Sequence, residues 1–434
     1  MTTLTWLHLS DWHQKVGDFD QRIVRDALIA DIRARERIDP ALEQVDFIIF
    51  SGDLARGGEK VEFKAARENL LEPVLATVGL GPERLFIVPG NHDFPRALLD
   101  KLPAELRKSP GDNLSVQGYL VDGKRRKLAL KPFKGYRSFV SRYTKQDSPD
   151  YASVLCLATR DGQTKVALLG LNSAWMCART FVRGKGGQER SDDERRLVVG
   201  EPQIQAALEK TADADIRIAV LHHPFEWLAK FDRGIVEARL ERECHFILHG
   251  HEHEPKAKTV RGAGGGDCAI IPAGACFSGR VVGDIRHVSA YNWVHLDLTA
   301  GKGMVYFRQW NESHGKWIAG IFINDDGKFP LDRLPKGLSP PTSSSSAFPP
   351  EDGGKRTSIE TEQDPREENP DGSARREESE KEALDRALEE VRLRFEARKR
   401  ALEEERAEID ARHKTQKRML DEALSQTLEE RLCG

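Results

Sequence analysis

Residues 47–53 read FIIFSGD: four apolar residues, Phe47, Ile48, Ile49 and Phe50, then Ser51, Gly52 and Asp53. A short apolar run closed by a polar cluster reads as a strand that delivers a carboxylate at its carboxyl end. The same unit recurs four times. Leu4–Leu9 precedes Asp11, Trp12 and His13, and Leu85–Val88 precedes Gly90, Asn91, His92 and Asp93. Ile216–Leu221 precedes His222, His223 and Pro224, and His245–Leu248 precedes Gly250, His251, Glu252 and His253. Further strands are expected at Val154–Ala158, Val166–Leu171, Ala269–Ile271, Trp293–Leu298 and Met304–Arg308. Helical patterns over Gln21–Arg37, Glu59–Val78, Glu201–Lys210 and Arg233–Glu241 alternate with them. Such alternation argues for an α/β sheet with helices on its faces. The strands from about Ala269 onward follow one another with turns and read as an antiparallel addition.

In open α/β sheets, ligands bind outside the carboxyl ends of the strands. Five strand ends therefore bring Asp, His and Asn side chains to one edge. Oxygen and imidazole donors of this kind bind first-row metals. Counting one donor from each position gives Asp11, His13, Asp53, Asn91, His222, His251 and His253. Seven donors exceed one tetrahedral site and suit two ions, which a shared carboxylate can bridge at roughly 3.5–4 Å. Asp53, on a central strand between the two sets, is the natural bridge. His222 and His223 are adjacent and alternate faces, so one of the two is expected to be a ligand.

The ordered set D-x-H, G-D, G-N-H-D, H and G-H-x-H resembles the calcineurin-like metallophosphoesterase family. Here it stands as Asp11 and His13, Gly52 and Asp53, Gly90 to Asp93, His222, and His251 and His253. The resemblance covers about residues 4–300. It implies a four-layer αββα sandwich of two mixed sheets flanked by helices. It also implies that Asp11, His13 and His253 hold one metal and Asn91, His222 and His251 the other, with Asp53 between them. His222 occupies the family's position before the x-P pair. Manganese, iron and zinc all accept these donors, and manganese is the first choice. The chemistry to be expected from such a site is hydrolysis of a phosphodiester or phosphomonoester by water activated between two cations. His92 follows a ligand without being one and is the candidate general acid, with Asp93 orienting its ring. A dedicated acid helps poor leaving groups, which favours a diester. Two other readings stay open: a nuclease gripping DNA or RNA through a basic insertion, and a non-catalytic scaffold acting through the C-terminal helix.

Composition sets the outer limits. The 434 residues carry a net charge of −3, which exerts no global pull on nucleic acid or membrane. No apolar stretch approaches the roughly 20 residues of a membrane span. The N-terminus lacks a secretory pattern, and none of the six cysteines forms a C-x-x-C pair. The expectation is a cytoplasmic chain with free thiols. Two basic stretches interrupt the α/β rhythm. Residues 118–145 interleave cations with Tyr119, Phe133, Tyr136, Phe139 and Tyr143. These aromatics could stack bases or fill the core of a small helical cap. Residues 179–196 are arginine- and glycine-rich and loop-like. Residues 1–333 are thus expected to form the metallophosphoesterase-like domain. Residues 334–378, rich in Pro, Ser and charge, read as a disordered linker. Residues 379–434 read as one long helix, a coiled coil that self-associates or binds a partner.

Overall fold

The computed structural model describes residues 2–335 except 146–150, 179–180, 184–188, 192, 252–256, 262–266, 278–288 and 322–323, together with residue 338. The expected C-terminal helix over 379–434 and almost all of the linker lie outside the described residues.

The strands are β1 Thr3–Leu9, β2 Phe47–Phe50, β3 Leu85–Ile87, β4 Ala152–Ala158, β5 Lys165–Leu171, β6 Phe181–Arg183, β7 Glu189–Ser191 and β8 Ile216–Val220. They continue with β9 Phe246–His249, β10 Lys258–Arg261, β11 Asp267–Pro272, β12 Ala290–Asp297, β13 Lys302–Asn311, β14 Lys316–Ala319 and β15 Lys328–Leu331. One sheet has the order β14-β13-β12-β1-β2-β3, with β15 also on β13; the other has the order β10-β11-β9-β8-β5-β4. β1, β2 and β3 run parallel, while β12 pairs antiparallel with β1. In the second sheet β5, β8, β9 and β11 run parallel, with β4 and β10 antiparallel at the edges. Both sheets are therefore mixed.

Strand alternation sends every second residue to the opposite face, and both faces of each sheet are apolar. Leu4, Trp6, Phe47, Ile49 and Phe86 of the first sheet share one buried cluster with Val166, Leu168, Ile218, Phe246 and Leu248 of the second. Trp6 stacks on Phe47 with ring centroids 5.7 Å apart and meets Phe246 edge-on at 5.6 Å, so it spans the sheet interface. The alternate residues Leu7, Leu9, Ile48 and Phe50 pack outward. They meet Val24, Leu28 and Ile32 of helix α1 (Phe19–Arg33). Leu70, Leu71 and Val74 join them from a helical run of α2 (Lys60–Ala66), a π-turn over Arg67–Leu71 and α3 (Glu72–Val78). The fourfold spacing of Val24, Leu28 and Ile32 puts all three on one face. Each aliphatic side chain so buried contributes about 1.5–3 kcal/mol. Asp18 caps α1 by accepting the Gln21 amide.

The outer face of the second sheet packs on four further helices. These are α4 (Asn113–Val121), α5 (Gly123–Ala129), α7 (Glu201–Glu209) and α8 (Lys230–Glu243). Helix α6 (Lys134–Thr144) joins the first sheet's helical side through Tyr136 and Val140.

Several expectations need correction. β11 pairs in parallel with β9 and belongs to the second sheet, so the antiparallel addition begins at β12. The reason is burial on both faces, with Cys268 and Ile270 in one cluster and Ala269 and Ile271 in another. Such continuous apolar runs are typical of parallel strands. Within the arginine-rich stretch read as a loop, β6 and β7 form a small hairpin. The short polar strands β10, β14 and β15 carried too little apolar signal to be read in advance. In the basic insertion the aromatic side chains fill cores. Phe133 packs on Phe94, Phe139 stacks on Phe63, and the Tyr136 hydroxyl donates to the Ile87 carbonyl at 2.9 Å.

Candidate metal centre

The carboxyl ends of β1, β2, β3, β8 and β9 meet at one edge of the two sheets. There the chain turns sharply. Asp11, His13, Asp53 and His251 have φ of 52°, 49°, 57° and 66°, four of the seven non-glycine residues with positive φ among the described residues. Each such conformation costs on the order of 1–3 kcal/mol, and clustering of this kind marks functional sites. The β1 and β2 turns support each other. The amides of Asp11 and His13 donate to the carbonyls of Gly52 and Asp53, both at 2.9 Å.

Two glycines are required by close approach. A Cβ on Gly52, which has φ of 107°, would lie 2.5 Å from His222 Nδ1. A Cβ on Gly90 would lie 2.1 Å from Asp53 Oδ1.

Both carboxylates divide their work in the same way. Asp11 Oδ2 accepts the Ser10 hydroxyl at 2.6 Å and the His251 amide at 2.9 Å, while Oδ1 lies 3.7 Å from His13 Nε2. Asp53 Oδ1 accepts the His92 amide at 2.8 Å, while Oδ2 lies 3.8 Å from His13 Nε2 and 3.4 Å from His222 Nε2. One oxygen of each is spent on the frame and the other faces the cluster. His222 is likewise oriented by its far nitrogen. Nδ1–H donates to the Ser51 carbonyl at 2.8 Å, which turns Nε2 toward Asp53, Asn91 and His251. A histidine tethered by one ring nitrogen to a carbonyl is the usual arrangement of a metal ligand.

Three overlapping donor groups emerge among the described residues, each able to hold a cation: Asp11, Asp53, His222 and His251; His13, Asp53 and His92; and His222, His223 and His251. Within each group the donor atoms lie within 4.8 Å of one another, and Asp53 belongs to the first two. Nitrogen and carboxylate donors in this number fit manganese, iron or zinc.

The site is buried, and its charges compensate one another. Burial pushes the Asp11 and Asp53 carboxyls up. The neighbouring histidines, His222 first, outweigh burial and hold both well below the ordinary value. Burial disfavours the His222 cation, yet the Asp53 and Asp11 carboxylates raise it to about 9. His13 rises for the same reason: its contacts with Asp11 and Asp53 overcome burial. Burial lowers His92. His223 is pushed well below its ordinary value by burial and then by the fields of His251 and His222.

Eight of the expected residues converge here: Asp11, His13, Asp53, Asn91, His92, Asp93, His222 and His251. His253 lies outside the described residues. Two expectations change. His223 does not face away from His222, because both follow the end of β8, where strand alternation no longer applies. His223 Nε2 and His222 Nε2 lie 3.1 and 3.2 Å from the same Asn91 Oδ1. His223 Nδ1 is tied to the Ser173 hydroxyl at 2.9 Å. Nor does Asp93 orient His92. The His92 Nδ1–H donates to the Arg56 carbonyl at 2.8 Å. The Asp93 carboxyl instead accepts the amides of Ala55 at 2.8 Å, Gly90 at 2.9 Å and Leu54 at 3.3 Å. Burial, then the Asp53 charge, raises Asp93 to about 7. It braces the turns that carry Asp53 and Asn91.

Other histidines serve packing. His8 meets the Ser51 hydroxyl at 2.9 Å, and His295 meets the Thr5 hydroxyl at 2.8 Å. Asn172 caps a turn by accepting the Ala174 amide. Trp227, which carried no signal in the sequence, sets its ring edge-on to His251 at 4.2 Å.

A sequence model of the calcineurin-like phosphoesterase family matches residues 4–255. The chain belongs to this family. An uncharacterized metallophosphoesterase-like protein of Bacillus subtilis, YydB, is 22% identical over 329 residues, which are 72% of this chain and 60% of that protein. This chain therefore spans somewhat under two thirds of that relative's length. Among solved structures, GAP50, the anchor in the inner membrane complex of Plasmodium, is 14% identical with a TM-score of 0.42, over 77% of this chain and 90% of that one. A dimetal phosphatase from Danio rerio is 13% identical with a TM-score of 0.37, over 76% and 99%. Among the described residues, no helix is long and apolar enough to cross a membrane.

Proposed function

We propose that this chain hydrolyses a phosphate ester, with a phosphodiester preferred, using two divalent cations at the strand-end cluster. One observation carries the reading: two donor groups, of four and three residues, share Asp53. A carboxylate common to two groups is what a bridging ligand between closely spaced ions requires. In the donor groups Asp11 falls with His222 and His251, and His13 with His92; the family pattern divides the ligands instead into Asp11 and His13, with His253, on one ion and Asn91, His222 and His251 on the other, and this is the division proposed, with Asp53 joining them. Such ions supply charge to the phosphoryl oxygens and lower the pKa of water toward neutrality.

The chain's own residues do the rest. Ser10 and the His251 amide hold Asp11 so that one oxygen faces the cluster, and the His92 amide does the same for Asp53. His92 lies at the rim, half-buried, with its ring centroid 4.7 Å from that of His13. The Arg56 carbonyl fixes its Nδ1–H, so Nε2 is the atom from which a proton passes to the departing alkoxide. Manganese is the first metal to test.

The experiment is metal analysis beside a substrate panel. The full chain, reconstituted with Mn²⁺, is expected to hold about two ions and to turn over bis(p-nitrophenyl) phosphate. Asp53→Asn is expected to lose both properties while keeping its free energy of urea unfolding within about 1 kcal/mol of the parent. Full turnover by Asp53→Asn would contradict the shared role.

A further inference from the structure

His223 has no part in the hydrolytic chemistry above, yet it reaches into the cluster. It is fully buried, and its Nε2 lies 3.1 Å from Asn91 Oδ1. It also joins His222 and His251 in the third donor group. Two roles are open to such a ring, ligand or hydrogen-bond donor, and the position of its proton separates them.

Among the described residues no carboxylate contacts the ring, and a buried imidazole without one is neutral. A single proton then sits on Nδ1 or on Nε2. Ser173 decides which. Its hydroxyl oxygen accepts the His223 amide at 3.0 Å and lies 2.9 Å from His223 Nδ1. Ser173 is fully buried, and among the described residues Nδ1 is the acceptor in reach of its proton. The hydroxyl therefore donates to Nδ1, since otherwise a buried donor would go unsatisfied. The ring proton is left on Nε2, facing Asn91 Oδ1 at 3.1 Å and, more remotely, Cys177 Sγ at 3.8 Å.

Ser173 is itself clamped. The Asn172 amide donates to Gln203 Oε1 at 2.9 Å, and Gln203 Nε2 donates to the Asn172 carbonyl at 3.0 Å. Asn172 Oδ1 accepts the Ala174 amide at 2.9 Å. Helix α7, which carries Gln203, thus fixes the turn, the turn fixes the Ser173 hydroxyl, and the hydroxyl fixes the His223 tautomer.

A side-chain amide needs such a guide. Rotating the Asn91 amide by half a turn exchanges its carbonyl oxygen for an amino group, which offers no lone pair to a cation. His222 Nε2 also lies 3.2 Å from Asn91 Oδ1, but an imidazole nitrogen that ligates a metal carries no proton and cannot hold the oxygen.

We propose that His223 is a positioning residue: its Nε2–H holds the Asn91 carbonyl oxygen toward the cations. This role rests on the two-cation reading of the site, in which Asn91 is a ligand. One lone pair of Oδ1 takes the His223 proton, and the other stays open to the ion.

The first readout is long-range proton–nitrogen NMR of the full chain with isotope-labelled histidine, in chelator and again with Zn²⁺. The His223 signals are identified by their loss in His223→Gln. The ring is expected to carry its proton on Nε2 in both conditions. A proton on Nδ1 overturns the proposal; with Zn²⁺ present, that pattern would make His223 a ligand itself.

The second readout is Mn²⁺ affinity, from competition with a fluorescent chelator. His223→Leu removes the donor and is expected to weaken one of the two binding steps by about 10–100-fold, with the other within about threefold of the parent. His223→Gln returns an amide N–H near the place of Nε2 and is expected to keep both steps within about threefold. Urea unfolding in chelator shows whether each variant folds; should His223→Leu not fold, His223→Gln and the tautomer decide. Parental affinities in His223→Leu, or an equal loss in His223→Gln and His223→Leu, overturn the positioning role. If the parent takes up no ion, the two-cation reading fails, and the tautomer in chelator decides by itself whether His223 holds the Asn91 oxygen.

Discussion

Gly90→Ala tests how the strand ends hold Asp53. The added methyl would lie 2.1 Å from Asp53 Oδ1 and 2.5 Å from the Asp53 backbone nitrogen. Ordinary carbon contacts are about 3.5 Å, so one partner must move by about 1 Å. The backbone nitrogen cannot swing aside as a long side chain would, and the Asp53 carboxylate is itself tied to the His92 amide. The carboxylate shared by two donor groups therefore shifts. A misplacement of about 1 Å at a reacting centre costs about 10²-fold in rate. The overpacking itself costs about 1–3 kcal/mol in stability. The assay compares kcat on bis(p-nitrophenyl) phosphate, metal content and urea midpoint with those of Gly123→Ala. A Cβ on Gly123 meets nothing within 4 Å. Gly90→Ala is expected to lose about 10²-fold in kcat and to bind metal poorly, whereas Gly123→Ala behaves as the parent. If Gly90→Ala retained parental kcat and about two ions per chain, the argument from close approach would be wrong.

Two further expectations follow from individual side chains. His92→Asn leaves the seven proposed ligands in place and should lower kcat by about 10²–10⁴-fold, with a larger loss on diesters of poor leaving groups than on p-nitrophenyl esters. An equal loss on both would remove the proton-donor role. Asp232 bears on pH. Burial raises its carboxyl from 3.8 to about 6 despite its hydrogen bonds to the Val199 and Gly200 amides. The folded state therefore binds the proton more tightly than the unfolded chain. The associated stability is full below pH ~4 and is lost as pH rises through ~6, a change of about 3 kcal/mol. Urea unfolding across that window should show this decline in the parent and a flatter profile in Asp232→Asn; parallel profiles would refute it.

Much of the site was legible because its signal is local. Five apolar runs each stop in a polar cluster, and the strand ends do carry Asp11, His13, Asp53, Asn91, His222 and His251 to one edge. Boundaries such as Phe47–Phe50 are readable because a run of apolar residues between polar ones leaves little choice of burial. What failed depended on partners far away in the chain. Asp93 looked like the orienting group for its neighbour His92, but its oxygens go to amides of residues 54, 55 and 90, and His92 is held by a backbone carbonyl, which carries no side-chain signature. His223 seemed to be excluded by strand alternation, yet β8 ends at Val220 and the rule ends with it.

The amino-acid order by itself determined the types of the longer elements, the edge at which the chemistry gathers and the family, because apolar period and motif spacing are properties of short segments. Tertiary structure alone decided which sheet β11 joins, why Gly52 and Gly90 must be glycine, and that His222 and His223 share Asn91. Each of these depends on contacts between segments up to more than a hundred residues apart, and only the packing of both sheets and their helices brings those segments together.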